Sequence, residues 1–326
     1  MTALRRLGYI ALVLAFGQIV FGAIVRITGS GMGCGDDWPK CAGQWLPPLD
    51  RPDLIIEITH RFIALALGVT LLLLLLIAAV KRRSPGVGGR GGVLRALLLA
   101  LPLMVAAAVL GAVTVFLELP PLVVVAHKLL ALMVLAALAT AVVRARGFGA
   151  GDEALQSWPS TVRSTSVAAA MALLVVLLGA FTANVPGAAP ACQGFPLCNG
   201  SLIPTGGLAL LHMTHRVLAF LLALHVIGIN LGVMRRVEPP SIVRGARVAL
   251  LVVVAQIAIA AALVQLLLPP ALQSLHQAVG TLVWLSLFVL AMLARQGVRA
   301  AEIDDREPDE SSAVVPGLAQ APRGEA

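Results

Sequence analysis

The chain has 326 residues, of which 59% are hydrophobic and 12% charged, and its net charge is +8. Soluble domains carry roughly twice that share of charge, so an ordinary soluble globular protein is excluded. The positive charge does not point to nucleic acid either, because the basic residues sit in short segments between apolar runs.

Eight apolar runs, each long enough to cross ~30 Å of hydrocarbon, lie at 7–27, 54–80, 96–117, 122–143, 166–184, 208–233, 248–268 and 271–294. The first follows Arg5 and Arg6 as a signal peptide would. Its apolar stretch is too long, however, and no small-residue cleavage site follows, so it is predicted to remain as a helix. Arg5-Arg6, the segments 81–95, 144–163 and 235–247, and the residues from Arg295 onward hold 18 of the 24 Lys and Arg. With eight spans these segments and both termini share one side, which the positive-inside rule makes cytoplasmic. The expected partner of this charge is the lipid bilayer, with no nucleic acid. The lack of a transit peptide and the preference for Arg over Lys suggest a bacterial plasma membrane.

The loop before the second span carries Cys34 and Cys41, and the loop before the sixth carries Cys192 and Cys198. Both loops lie on the outer, oxidising side, where local disulfides are plausible. A metal site is disfavoured because neither loop has a histidine or a third cysteine. A pair that cycles between thiol and disulfide is the functional alternative to a structural staple. The prediction is Cys34 with Cys41 and Cys192 with Cys198, because short loops within separate halves close at lower entropy cost than a cross-link between halves.

The two halves align. Gly22-Ala23 matches Gly179-Ala180 and Cys41 matches Cys198, both at an offset of 157; His60 matches His215 at 155 and His127 matches His276 at 149. Each half reads as helix, cysteine loop, helix with histidine, inner loop, helix, Pro-Pro turn, helix with histidine. An even number of spans per half inserts both the same way up, as parallel repeats about an axis along the membrane normal. The expected fold class is an all-α integral membrane protein of eight transmembrane helices in two parallel-repeat four-helix bundles. The domains are 1–147, 148–299 and an acidic tail, 300–326, expected to be disordered.

Proline ends one helix and is tolerated at the start of the next, so Pro120-Pro121 and Pro269-Pro270 predict tight outer hairpins. His127 and His276 each lie six residues beyond such a turn, or roughly 9 Å into the membrane at 1.5 Å per residue. His60 and His215 lie at comparable depth on other helices. A lone imidazole in a bundle can simply hydrogen-bond across helices. Four in matched pairs point to axial ligation of haem iron, His60 with His127 and His215 with His276. His212 shares a helix face with His215 and is either a supporting residue or a contact to a porphyrin edge. His225 lies off that face and reads as a structural hydrogen-bonding residue.

Glu57 precedes His60 by three residues, on the same face, and its counterpart in the second half is His212. A carboxylate beside such a site is a candidate proton acceptor; with Asp53 it could also be an acid favoured at a helix start. Arg61 and Arg216 follow the histidines directly. They suit bidentate pairing with a haem propionate, or snorkelling to the outer interface.

The string Gly22-Ala-Ile-Val-Arg26-Ile-Thr28-Gly-Ser-Gly31, then Cys34, then Asp37-Trp38-Pro39-Lys-Cys41, then Glu57-Ile-Thr-His60-Arg61 resembles the signature of the haem A synthases. The resemblance covers residues 7–294, and the paired cysteines resemble the bacterial form. Cys34-Gly-Asp-Asp37 stands where a proline-containing version is expected. The resemblance implies an oxidoreductase that converts haem O to haem A, turning a porphyrin methyl into a formyl group for use in terminal oxidases. It implies a substrate site in the N-terminal half, with His60 and His127 as axial ligands and Glu57 as catalytic residue. It implies a haem b cofactor on His215 and His276. Haem O synthase and a membrane or quinone-linked electron acceptor are the implied partners. Two histidines on the substrate iron leave no open position for O₂, which favours electron removal followed by addition of water.

Two other functions fit parts of the pattern. A dihaem, cytochrome b-like electron carrier explains four histidines but not why Glu57 stands in one half alone. A membrane thiol oxidoreductase would use the cysteine pairs and make the histidines incidental.

Overall fold

A computed structural model describes residues 1–35, 40–150 and 157–304, with side chains as far as 296. The described residues form eight long helices and no strand: α1 (Thr2–Ile27), α2 (Pro52–Val80), α3 (Val93–Phe116), α4 (Pro121–Arg144), α5 (Pro159–Asn184), α6 (Gly207–Arg235), α7 (Pro240–Gln265) and α8 (Pro270–Asp304). All eight are long and apolar enough to cross a membrane, so the chain is a multi-pass membrane protein. The helices outrun the apolar stretches at their polar ends. α1 starts at Thr2 rather than 7, because Arg5 and Arg6 are good helix formers that extend the span beyond the hydrocarbon. α8 continues to Asp304, so the first residues of the acidic segment prolong that helix. The rest of the expected tail, 305–326, lies outside the described residues, as do Asp37, Trp38 and Pro39 of the first-loop motif.

Proline occupies the first helical position of α2, α4, α5, α7 and α8, where its missing N–H is no loss. Pro102 stands inside α3, which membrane helices tolerate when neighbours re-satisfy the backbone. The two outer hairpins close alike. Leu119 N–H bonds to Thr114 O at 2.8 Å, and Leu268 N–H bonds to Leu263 O at 2.8 Å. Glu118, Leu119, Leu267 and Leu268 all have left-handed backbone, with φ of 57°, 62°, 60° and 63°. These four non-glycine residues are held there by the Schellman-type closure and the proline that follows.

α1 packs on α2 and α4, and α3 on the same two helices. α5 packs on α6 and α8, and α7 on the same two. The halves meet through α4 on α8, flanked by α1 on α8 and α4 on α5. α4 and α8 are thus the central helices, and the largest fully buried side chains include Leu132, Leu135 and Leu138 of α4 with Trp284, Leu287 and Leu290 of α8. Leu65, Leu72, Leu76, Leu98, Leu224 and Leu251 point outward; on a membrane protein that apolar exterior is the lipid face.

Candidate functional site

The two central helices each carry one predicted histidine, and α2 and α6 carry the others. His60 stands on α2 and His127 on α4, in the N-terminal half; His215 stands on α6 and His276 on α8, in the C-terminal half. The structure brings the second pair together. His215 and His276 line one cavity, along with His212, Gln256 and Gly280.

Glycines make room for the rings. A Cβ at Gly22 would stand 3.1 Å from His60 Cε1, at Gly111 3.0 Å from His127 Cε1, and at Gly179 2.7 Å from His215 Cε1. The contact at Gly179 is closer than real side chains come, so glycine there is a condition of the position of His215; at Gly22 and Gly111 a Cβ would be tight enough to make the ring shift by a few tenths of an ångström. Gly280 does the same for Gln256, whose Nε2 would lie 3.1 Å from a Cβ there.

The ring nitrogens differ in their partners. His127 Nδ1 lies 2.9 Å from Ala107 O, so Nδ1–H donates to that carbonyl and Nε2 is left with its lone pair free for a ligand. The Gln18 amide approaches His60 Nε2 at 3.1 Å, and Phe21 stacks on the same ring with an interplanar angle of 11°. Gln256 Nε2 lies 3.0 Å from His276 Nδ1 and also donates to His276 O at 3.0 Å. His60 Nδ1 and His215 Nδ1 are buried without a hydrogen bond of ordinary geometry, although the backbone of Val175 faces the His215 ring.

Glu57 is buried. It accepts from Cys34 N–H at 2.8 Å and pairs with Arg61. Arg61 also donates to Lys40 O at 2.6 Å. In the other half Arg216 donates to the carbonyls of Cys192 (2.8 Å), Gly194 (2.8 Å) and Leu197 (2.9 Å). Both arginines thus fasten a cysteine loop to the helix that bears the first histidine. His212, at the position of Glu57, lies 3.3 Å from Ala188 O. His225 Nε2 lies 3.0 Å from Ser164 O.

Cys34 is bonded to Cys41 and Cys192 to Cys198. Each loop carries one isolated bridge at the same place, Cys41 with Gln44 and Cys198 with Ser201. Among the described residues no group of three or more His, Cys, Asp or Glu could hold a metal ion.

Four polar residues at these sites were not singled out from the sequence. Gln18 and Gln256 touch the histidines, and their signal was an amide inside an apolar run, with Gln18 one turn before Gly22. Arg26 and Lys128 link the halves. Arg26 donates to Ala183 O at 3.2 Å, and Lys128 donates to Gln277 Oε1. Each is a cation close to a site residue in sequence, Lys128 directly after His127.

Eight apolar helices that carry four internal histidines on α2, α4, α6 and α8, three of them backed by glycine, define a multi-pass membrane protein with histidines inside its bundle. The chain matches the model of the cytochrome oxidase assembly protein family, COX15-CtaA, over residues 5–55 and 51–288. A haem A synthase of Symbiobacterium thermophilum is 31% identical over 269 residues, 79% of this chain and 84% of that protein. A haem A synthase of Exiguobacterium sibiricum is 30% identical over 220 residues, 67% of this chain and 70% of that one. That of Geobacillus kaustophilus is 48% identical over a shorter stretch, 18% of this chain and 19% of its own length. A protohaem IX farnesyltransferase of Thermus thermophilus matches 33% of this chain at 40% identity, over 17% of its own length. The chain belongs to the haem A synthase family.

Proposed function

We propose that this protein is a haem A synthase that oxidises a methyl group of haem O to a formyl group, giving haem A for terminal oxidases. The observation that carries the reading is a pair of like imidazole sites of which one alone has a carboxylate, Glu57, where the other has His212. The N-terminal site, with His60 and His127, takes the substrate. The C-terminal site, with His215 and His276, holds haem b.

The residues fit such ligands. The buried His60 Nδ1, which has no protein partner, and the glycines that clear space for three rings support imidazoles that would hold such a group. The carbonyl of Ala107 holds His127 in the tautomer that offers Nε2. The reaction consumes the methyl group and one water and yields the formyl group, four protons and four electrons. Haem b, when bound, supplies one-electron chemistry, and a membrane or quinone-linked acceptor takes the electrons onward. Glu57 accepts a proton, held in place by the Cys34 amide and by Arg61. Haem O synthase is the partner that supplies the substrate, a reading supported by the match to a protohaem IX farnesyltransferase. The cysteine pairs are staples of the outer loops, which the arginine clamps tie to α2 and α6.

Both termini are placed on the cytoplasmic side by the basic segments. The halves are read as parallel repeats, and contacts between equivalent positions support this. Arg26 meets Ala183 across 157 residues, the offset of the glycines, and Lys128 meets Gln277 across 149, the offset of the second histidines. Residues on a local two-fold axis meet their own counterparts in this way.

The function is tested by extracting pigment from cells that express the protein with and without a haem O source. Haem A is expected only with that source; its absence in both cultures would overturn the reading. The glycine cradle gives a second test. Gly179→Ala forces a Cβ against His215, and such overpacking commonly costs about 1–3 kcal/mol. Haem b retention in the purified protein is expected to fall, whereas Gly17→Ala, with nothing within 4 Å of its Cβ, should leave it unchanged. Equal retention in both variants would deny the cradle its role.

A further inference from the structure

We propose that Arg26, a residue of the N-terminal half, is the carboxylate anchor of the haem held in the C-terminal half. The inference rests on the reading of His215 and His276 as a haem site. Arg26 lies in the last turn of α1, yet it lines the cavity that contains His215, His276 and Gln256. It reaches across the interface to donate to Ala183 O at the end of α5. A guanidinium has five N–H donors. Among the described residues no carboxylate lies within ion-pair reach of Arg26; the ion pairs there are Arg51 with Asp53 and Arg61 with Glu57. A cation inside the protein is costly unless an anion meets it. A haem brings two propionates, and the arginine fork matches a carboxylate in shape and charge.

The arginines next to the histidines already have partners, although Arg216 borders the same cavity. Arg216 donates to carbonyls of its cysteine loop, and Arg61 pairs with Glu57 and donates to Lys40 O. The wall of the C-terminal site is therefore completed by the other half of the chain. The same contact explains why the halves hold their ligands differently. The counterpart of Arg26, at the offset of 157, is Ala183, the residue whose carbonyl it touches. One half contributes a guanidinium to its neighbour's site, where the equivalent residue of the other half is an alanine. The C-terminal site gains a charged anchor suited to a retained cofactor. The N-terminal site lacks it, as suits a substrate that must leave as product.

The test uses the full-length protein in detergent, loaded either with protohaem or with protohaem dimethyl ester, whose propionates carry no charge. Loss of haem to an excess of apomyoglobin is followed at the bis-histidine absorption band that His276→Ala removes. The wild type is expected to release protohaem about 10- to 100-fold more slowly than the ester, the range for one charge-assisted hydrogen bond. Arg26→Gln should release protohaem at nearly the ester's rate and leave the ester's own rate unchanged, and Arg26→Lys should recover part of the difference. Equal release of protohaem and ester by the wild type would overturn the proposal without need of any variant. So would Arg26→Gln accelerating both ligands alike, which would make the contact with Ala183 purely structural. A wild type with no bis-histidine band at all would instead defeat the haem b assignment itself.

Discussion

Replacing His276 or His215 by alanine is expected to abolish binding of haem b while the bundle stays folded. Each change would remove one of the two residues proposed to hold the cofactor. Gln256, which contacts His276, keeps its bond to the backbone carbonyl of residue 276 when the ring is gone. Both rings already border a cavity, so little new void is opened in the packed core. His60→Ala is the contrasting variant. It acts on the other half and should leave haem b in place while conversion of haem O stops. The measurements are the low-spin absorption spectrum of the purified proteins and their thermal unfolding in detergent. A bis-histidine spectrum unchanged in both His215→Ala and His276→Ala would defeat the assignment of the cofactor to the C-terminal half.

The sequence made the spans and their histidines legible because both are local signals. Hydropathy marks apolar runs directly, and the Pro-Pro turns set the register from which the depth of His127 and His276 follows. The disulfides were legible for a similar reason: each joins cysteines only 7 or 6 residues apart in one loop. What was missed depends on contacts between distant segments. Arg26 stood in the quoted motif without a role, because the residue it touches lies 157 positions away, in the other half. Lys128 follows His127, yet its meeting with Gln277 is a property of how α4 crosses α8. Arg216 was matched to a propionate from its place beside His215. The loop carbonyls that it binds are set by the backbone path of residues 192–197, which no residue pattern discloses. Glu57 was read as sharing the face of His60, and its bonds to the Cys34 amide and to Arg61 tie it to the outer loop. The loop and the site therefore form one unit.

That unit makes Glu57→Gln the most informative single change in the N-terminal half. Glutamine keeps the size of the side chain and can still accept from the Cys34 amide, but it carries no charge for Arg61 and accepts no proton at neutral pH. If Glu57 takes up protons as the methyl group is oxidised, conversion should fall by about 10²–10⁴, the usual weight of a general base. Haem b should remain bound, since His215 and His276 are untouched. A partly oxidised hydroxymethyl haem is expected to accumulate, because the second oxidation also requires loss of a proton. Loss of the Arg61 ion pair could by itself loosen the loop, and Arg61→Gln separates the two effects. Arg61→Gln removes the same ion pair but keeps the carboxylate, so it should retain far more activity than Glu57→Gln if the proton is what matters. Extracted pigments from both variants, resolved by chromatography and mass, give the answer. Near-normal haem A from Glu57→Gln, or equal losses in the two variants, would make this carboxylate a fastening for the cysteine loop and leave the substrate site to His60 and His127.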